Sequence, residues 1–301
     1  MSNGVLCFAN NNGKVDYLKQ AIFLAKRIKK HFDLPTSLVT SSKRDLDLVY
    51  EKQRDVFDKI IEVQDNNENQ KRFYDGSLTY KRLYFKNNGR IDSYDLSPYE
   101  NTMVMDTDFV ICNDKLANAF DLTPDFQIYQ RAVDLCSWRM FPEFNYINNT
   151  GIKFYWATCF FFRKTSETKL FFNLLKHLKE NWLHYRKIYN LGSKNFRNDH
   201  IFSIAIHIMN GFIEQDWAKE LPGTMYYTLD RDHVIEMSDT DIKFLVEKEN
   251  HAGEYTLAST RQSNVHVMNK FSLERMISWK DTWCLPEVKT MFNKHVCVLW
   301  A

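Results

Sequence analysis

The amino-acid sequence predicts an α/β chain built on a mostly parallel sheet with flanking helices, and three observations predict it. Strand-like and helix-like segments alternate from the start to about residue 63, an order that builds parallel strands joined by crossover helices. A short apolar run, Met103-Val104-Met105, stops on two carboxylates, Asp106 and Asp108, which puts both at the carboxyl end of a strand, where open α/β sheets hold ligands. Finally, 301 residues suffice for one large domain or two small ones. A chain of that size buries about three quarters of its unfolded surface, and no Pro- or Gly-rich linker or internal repeat divides it, so a single domain is expected.

Taken in order, "GVLCFA" (4–9) reads as a strand, "NNNG" as a turn, and "DYLKQAIFLAKRIKKHF" (16–32) as an amphipathic helix with Leu18, Ile22, Ala25 and Ile28 near one face. Pro35 opens a second strand, "TSLVTSS" (36–42), followed by a helical stretch to about 57 and a third strand, "KIIEV" (59–63). The stretch "SLTYKRLYFKN" (77–87) is expected to be helical and to lead to the strand before Asp106. Further on come a strand at "WATCFFFRK" (156–164), a long helix over about 167–187, a basic loop, a helix at "DHIFSIAIHIMNG" (199–211) and a late strand, "NVHVM" (264–268). The less regular order past Asp106 suggests two halves, 1–112 and 113–301, within one domain.

Forty basic against thirty-eight acidic residues leave a formal charge of +2, which excludes a global polyanion-binding field and confines any such patch to a local surface. The six cysteines, at 7, 112, 136, 159, 284 and 297, form no CxxC pair and no zinc spacing, and the N-terminus has no basic-then-apolar signal. A cytoplasmic protein with free thiols is expected, in which the sequon Asn148-Asn149-Thr150 is unused. No apolar run reaches the length of a membrane span.

The triplet Asp-Thr-Asp occurs twice, at 106–108 and 239–241, so the chain carries its own control. At the second site Ser238 precedes Asp239, Asp241, Ile242, Leu245 and Val246, a spacing that predicts a helix with an N-cap serine and first-turn acids, hence a structural role. At the first site the preceding residues read as a strand covered on both faces. With a side-chain period of two, Asp106 and Asp108 lean the same way if the extended conformation persists, and two hard oxygen ligands on one side suit Mg²⁺ or Mn²⁺. A solvated loop is the other reading of a bare acid-x-acid triplet.

These pieces in this order resemble the metal-dependent GT-A glycosyltransferases, the glycogenin-like and bacterial galactosyltransferase group in particular, over about residues 4–270. The resemblance implies a Rossmann-like GT-A fold and transfer of a sugar from a nucleoside-diphosphate sugar, a UDP-sugar first among them, with Mn²⁺ or Mg²⁺ as cofactor. "CFANNNGKVDYLKQAIFLAKRIKK" is similar to the family's opening strand, nucleotide-contacting turn and helix, which implies that Ala9, Asn10 and Asn11 line a base pocket and Tyr17 packs beside it. "LTYKRLYF" is similar to its Tyr-x-Arg-Leu helix, so Arg82 would reach the donor phosphates or brace the acidic loop. "MVMDTDFVI" resembles the metal motif, with Asp106 and Asp108 as catalytic metal ligands and Thr107 beside the donor. "RNDHIFSIAI" places Asp199 where a carboxylate faces sugar or acceptor, and "NVHVMNK" offers His266 as third metal ligand and Lys270 as a phosphate ligand. Two departures stand out: "YWATCFFFRK" puts Trp156 and Thr158 where the family often has Asn-x-Gly, and the Gly and Pro-Trp that usually follow the late His are missing.

Each residue also has a structural reading: a turn for Asn10 and Asn11, a surface ion pair for Arg82, a helix cap for Asp199, a hydrogen-bonded strand histidine for His266. His200 and His207 are expected to pack rather than bind metal. Two rival functions remain, a nucleotidyltransferase acting on a sugar phosphate and a non-catalytic sugar-binding module; the first usually carries a Gly-rich phosphate loop, and "NNNG" has one glycine. The acceptor is open among protein, lipid, glycan and nucleic acid. "HYRKIYNLGSKNFRND" (184–199) interleaves Arg186, Lys187, Lys194 and Arg197 with Tyr185, Tyr189 and Phe196, a pattern that suits a polyanion such as DNA bearing a hydroxymethylated base, as in phages, or equally a solvated helix end.

Overall fold

A computed structural model describes residues 2–65, 69–86, 89–136, 139, 141–149, 151–192 and 195–277. Thr150, Lys194, Cys284 and Cys297 lie outside the described residues.

The chain opens as the alternation requires: β1 (Asn3–Phe8), α1 (Tyr17–His31), β2 (Thr36–Thr40), α2 (Lys43–Val49) and β3 (Lys59–Glu62). Asp16 caps α1 by accepting the Lys19 N–H at 3.0 Å, and the helix buries Leu18, Ala21, Ile22, Leu24, Ala25 and Ile28. Each fully buried Leu or Ile contributes about 1.5–3 kcal/mol relative to exposure. A hairpin follows, β4 (Asn69–Tyr74) and β5 (Tyr80–Phe85), then α3 (Ser93–Leu96), β6 (Asn101–Met105) and the two-residue β7 (Phe109–Val110). Next come β8 (Phe126–Tyr129), β9 (Ala132–Asp134), β10 (Trp156–Arg163), α4 (Ser166–Glu180), α5 (Trp182–Ile188) and α6 (Asn198–Met209). The last elements are β11 (Met225–Thr228), β12 (His233–Met237), β13 (Asp241–Glu247), β14 (Tyr255–Arg261), β15 (Asn264–Val267) and α7 (Lys270–Met276).

A six-stranded sheet in the order β3-β2-β1-β6-β10-β8 forms the centre. Its strands run parallel except for β10, which is antiparallel to both neighbours. The mixed α/β architecture with a mostly parallel sheet and flanking helices is therefore what the sequence predicts. The apolar runs "TMVM" and "ATCFFF" are buried on both faces, because helices cover the sheet from either side. Around β10, Phe160 meets Phe202 of α6 and Phe161 meets Phe120, with ring centroids 4.9 and 5.1 Å apart. A second sheet, β7-β15-β11-β9, and a three-stranded meander, β12-β13-β14, pack beside it over their own apolar cluster of Val110, Phe244, Val246 and Val265.

Three expectations are corrected. The stretch 77–87 is not helical: β5 pairs with β4, from Asn69 opposite Phe85 to Tyr74 opposite Tyr80. The segment after Ser238 is not a helix either but β13, with Ile242, Phe244 and Val246 buried in alternation. The helix expected over 167–187 breaks at Asn181, whose side chain donates to the His177 carbonyl at 2.9 Å and separates α4 from α5. The four-residue apolar spacing of 242 and 246 is shared by helix and strand, and the tie was broken by pairing with β14.

Candidate active site

The acidic triplet sits where the chain leaves one sheet for another. After β6 the ladder closes with the Asp106 N–H donating to the Thr158 carbonyl at 2.9 Å, and the Phe109 N–H turns back to the Asp106 carbonyl. β7 then joins β15, with Phe109 opposite His266, and the Val267 N–H donates to the Asp108 carbonyl at 2.9 Å. Register alone thus brings Asp108 beside His266, residues 158 positions apart in the chain.

The side chains converge as the backbone directs. One ligand atom each from Asp106, Asp108 and His266 lies within 4.8 Å of the others. His266 Nε2 is 3.4 Å from Asp108 Oδ2, and the Lys270 ammonium donates to the same oxygen at 2.5 Å. Asp106 pairs with the guanidinium of Arg90, which also donates to the Ala157 carbonyl at 3.2 Å. Burial pushes the Asp106 carboxyl up to about 6, with the Asp108 charge adding to the rise and Arg90 opposing it. Burial would raise Asp108 too, but Lys270 and His266 override it and hold that carboxyl well below the usual range.

The residues present fit a divalent ion. His266 Nδ1 is buried with no hydrogen-bond partner, and two carboxylates with one imidazole are a donor set for Mg²⁺ or Mn²⁺.

Around this cluster opens a cleft of about 1280 Å³, counting the space continuous with solvent. Phe8 and Tyr17 line it, as do Lys71, Arg72, Phe73, Tyr74 and Phe85 of the hairpin; Trp156, Thr158, the start of α6, Lys270 and Phe271 also contribute. Thr107 also lines it. Besides His266 Nδ1, two further buried polar atoms of lining residues, Tyr17 Oη and Asn198 Oδ1, have no hydrogen-bond partner. Burial first, then the charges of Asp108 and Asp106, raise the Tyr17 hydroxyl far above its ordinary value, so it is neutral and available as a donor.

No family model and no curated protein matches this chain. Among solved structures it is similar to the glycosyltransferase GlyE of Streptococcus pneumoniae TIGR4, at 12% identity over 73% of this chain with a TM-score of 0.42. The chain spans 45% of the length of that protein. It is likewise similar to the galactosyltransferase LgtC, solved in complex with donor and acceptor sugar analogs, at 11% identity over 72% of each chain and a TM-score of 0.44. A Bacillus anthracis protein assigned as a glucose-1-phosphate thymidylyltransferase, solved with sucrose, matches at 10% identity over 94% of this chain and 97% of that one, with a TM-score of 0.45.

Of the other residues singled out in the sequence, Asp199 lies in the cleft at the first turn of α6, accepting the Ala157 N–H at 3.1 Å and facing Arg197 at 3.3 Å. Burial would raise its carboxyl, but Arg197 and Arg90 more than offset this and hold it below the ordinary value. Ala9, Asn10 and Asn11 are not among the lining residues. Ala9 donates its N–H to the Val39 carbonyl; Asn10 bonds the Lys86 carbonyl and the Ser41 N–H; Asn11 accepts the Leu18 N–H. With Asn12, which donates to the Tyr84 carbonyl at 3.2 Å, Asn10 holds the return strand of the hairpin against β1. Arg82 is exposed on β5 and is not among the residues lining the cleft, and the ion pair on Asp106 comes from Arg90.

Arg90, Lys71, Asn198 and Asp230 join the lining without having been singled out. Arg90 sits in a short 3₁₀ turn, Gly89–Asp92, with no periodic pattern to mark it. Lys71 shares a face with Phe73, Leu83 and Phe85 in the β4–β5 ladder, a pattern visible only once 77–87 is read as a strand. His200 and His207 pack as expected; burial, then Arg197, pushes His200 down to about 4, so it stays neutral. In the 184–199 segment Tyr185, Tyr189 and Phe196 are partly buried against the main core, and Phe196 also lines the cleft.

No helix among the described residues is long and apolar enough to cross a membrane.

Proposed function

We propose that the chain is a metal-dependent glycosyltransferase that moves a sugar from a nucleoside-diphosphate sugar, a UDP-sugar, to an acceptor hydroxyl. The observation that carries this reading is the Asp106, Asp108 and His266 cluster at the foot of an open cleft that also gathers Lys71, Arg197 and Lys270. Asp106, Asp108 and His266 would hold Mn²⁺ or Mg²⁺, which when bound stabilises negative charge on a departing diphosphate. Lys270 and Lys71, which line the same cleft, would supply cations to those phosphates, and Tyr17 and Thr107, also in the lining, would meet the donor. Residues 1–112 carry most of the donor side, with His266 and Lys270 reaching it from 113–301.

Asp199 has two possible tasks, taking the acceptor proton or bracing positive charge on the sugar. A general base works best with a pKa near the working pH. Asp199 is held below its ordinary value, so its fixed negative charge suits the second task better, stabilising an oxocarbenium-like sugar while Arg197 keeps it in place.

The test is release of nucleoside diphosphate from a panel of nucleotide sugars, with and without Mn²⁺ or Mg²⁺. Metal-dependent release that chelation stops is expected. Consumption of a nucleoside triphosphate and a sugar phosphate with formation of pyrophosphate would make the chain a nucleotidyltransferase instead, and silence in both assays would overturn an enzymatic role.

A further inference from the structure

The β4–β5 hairpin has two faces of different character. Its inner face carries Lys71, Phe73, Leu83 and Phe85; Phe73 is buried, Leu83 packs on the core, and Lys71 and Phe85 line the cleft. The outer face alternates with it and presents Arg72, Arg82, Tyr80 and Tyr84 to solvent, the two tyrosines 52% and 47% exposed. Arg72 and Arg82 stand directly opposite each other, a like-charge cross-strand pair that costs stability unless an anion lies between them. Among the described residues no carboxylate pairs with either of them or with Lys71 or Lys81. The hairpin's own acid, Asp75, is taken by both guanidinium nitrogens of Arg275 at 2.8 Å.

We infer that this outer face docks single-stranded nucleic acid and leads it over the hairpin edge to the cleft. Arg72 and Arg82, without a carboxylate partner among the described residues, suit a phosphate chain, and exposed rings beside them offer platforms on which bases stack. One such stack already exists within the face: the Arg72 guanidinium lies 5.2 Å from the Tyr80 ring centroid. The strands of six residues are about 20 Å long, room for about four nucleotides at single-strand site sizes. The ribbon is held at both ends, by Asn10 and Asn12 at the return strand and by Ser77 bonded to Glu247 and Tyr255 at the turn, so the face is presented as a fixed surface. That the docked strand is the sugar acceptor rests on the function proposed above; the docking itself does not.

The experiment measures binding of labelled oligothymidylate by fluorescence anisotropy over a salt series, without donor, and heparin as a polyanion lacking bases. Wild type is expected to bind the oligonucleotide with a log–log salt slope, from which Arg82→Ala removes about 0.7 and Arg82→Lys does not. Tyr80→Ala and Tyr84→Ala are each expected to weaken oligonucleotide binding about fivefold or more while leaving heparin unchanged. Thermal melts of each variant separate lost binding from lost folding. Salt-independent or absent binding by wild type, or variants that bind as wild type does, would overturn the inference; equal losses on heparin in the tyrosine variants would replace nucleic acid by an anionic glycan. Donor hydrolysis by wild type is read separately: oligonucleotide binding without it removes the enzymatic reading alone, and hydrolysis without binding removes the docking face alone.

Discussion

Two copies of Asp-Thr-Asp in one chain meet opposite fates. At 106–108 the triplet is the corner between two sheets, with Asp108 only 2% exposed and its carboxylate crowded by Lys270 and His266. At 239–241 it is the turn of the β12–β13 hairpin, where the Ser238 N–H donates to the Asp241 carbonyl at 2.8 Å and the Ser238 hydroxyl accepts the Asp241 N–H at 3.0 Å. There the carboxylates point outward: Asp239 meets Lys30 at the surface, and the Thr240 hydroxyl donates to Asp241. What the second triplet contributes to the fold comes from its main chain, because the buried Arg27 donates to the Ser238 and Asp239 carbonyls at 2.6 and 2.7 Å and to Ile111 at 3.0 Å. Residue type sets what a carboxylate can do, whereas burial and the number of cations around it set what it does.

The largest separation between the two copies is expected from Asp108→Asn. It removes a ligand charge at nearly constant volume, so metal-dependent transfer should fall by about 3–4 kcal/mol of transition-state stabilisation, a factor of several hundred. Unfolding free energy should move by no more than about 1–2 kcal/mol, because the loss of Lys270's partner is set against relief of the repulsion from Asp106. Kinetics with a saturating metal series, alongside denaturant melts, check both halves; full activity in this variant would remove the distinction between the triplets.

Arg27→Met sharpens the comparison from the other side. The methionine keeps the buried stem but leaves three carbonyls without their charged donor, at a cost of about 3 kcal/mol. In a domain of this size that corresponds to a drop in melting temperature of roughly 6–12 °C. Turnover per folded molecule should stay as in wild type, since Arg27 is not among the residues lining the cleft. A variant that melts normally but turns over poorly would contradict a purely structural second triplet.

How much of this was legible depends on which neighbours a residue answers to. The opening strands and helix could be read because their apolar spacing is local, and Asp106 and Asp108 because a run of Met and Val ends on them. His266 was not legible from its strand alone, where alternation reads equally as a hydrogen-bonded structural histidine; the resemblance of "NVHVMNK" to a late metal-ligand strand singled it out. The strand within 77–87 is hard to read because Tyr80 and Tyr84 put aromatic rings on its outer face while Lys81 puts a charge on the inner one, which blunts the alternation that marks a half-buried strand. The helix expected after Ser238 failed for a related reason: the serine does accept two following N–H groups, at Thr240 and Asp241, as a helix cap would, but the next residues alternate with period two. Arg90 was invisible, because its importance comes from Asp106 and Ala157, brought to it only by the closed sheet.

Asp239→Asn should have the smallest effect of all, and its pH dependence says why. The hydrogen bond from Lys30 holds the Asp239 carboxyl below its ordinary value of 3.8, with desolvation opposing this and the charge of Lys30 adding to it. A carboxyl whose pKa is lower in the folded than in the unfolded chain binds fewer protons when folded, so its stabilisation is present above the ordinary value and lost as pH falls through the folded one. Both side chains are more than half exposed, at 53% and 64%, and water and salt screen such a pair to at most about 1 kcal/mol. The variant should therefore melt slightly lower than wild type at neutral pH, match it at the acid end of the titration, and approach it at high salt. Transfer should be unchanged throughout. A pH-independent loss of stability, or any fall in transfer comparable to that of Asp108→Asn, would mean that the outward-facing triplet has a task its geometry does not suggest.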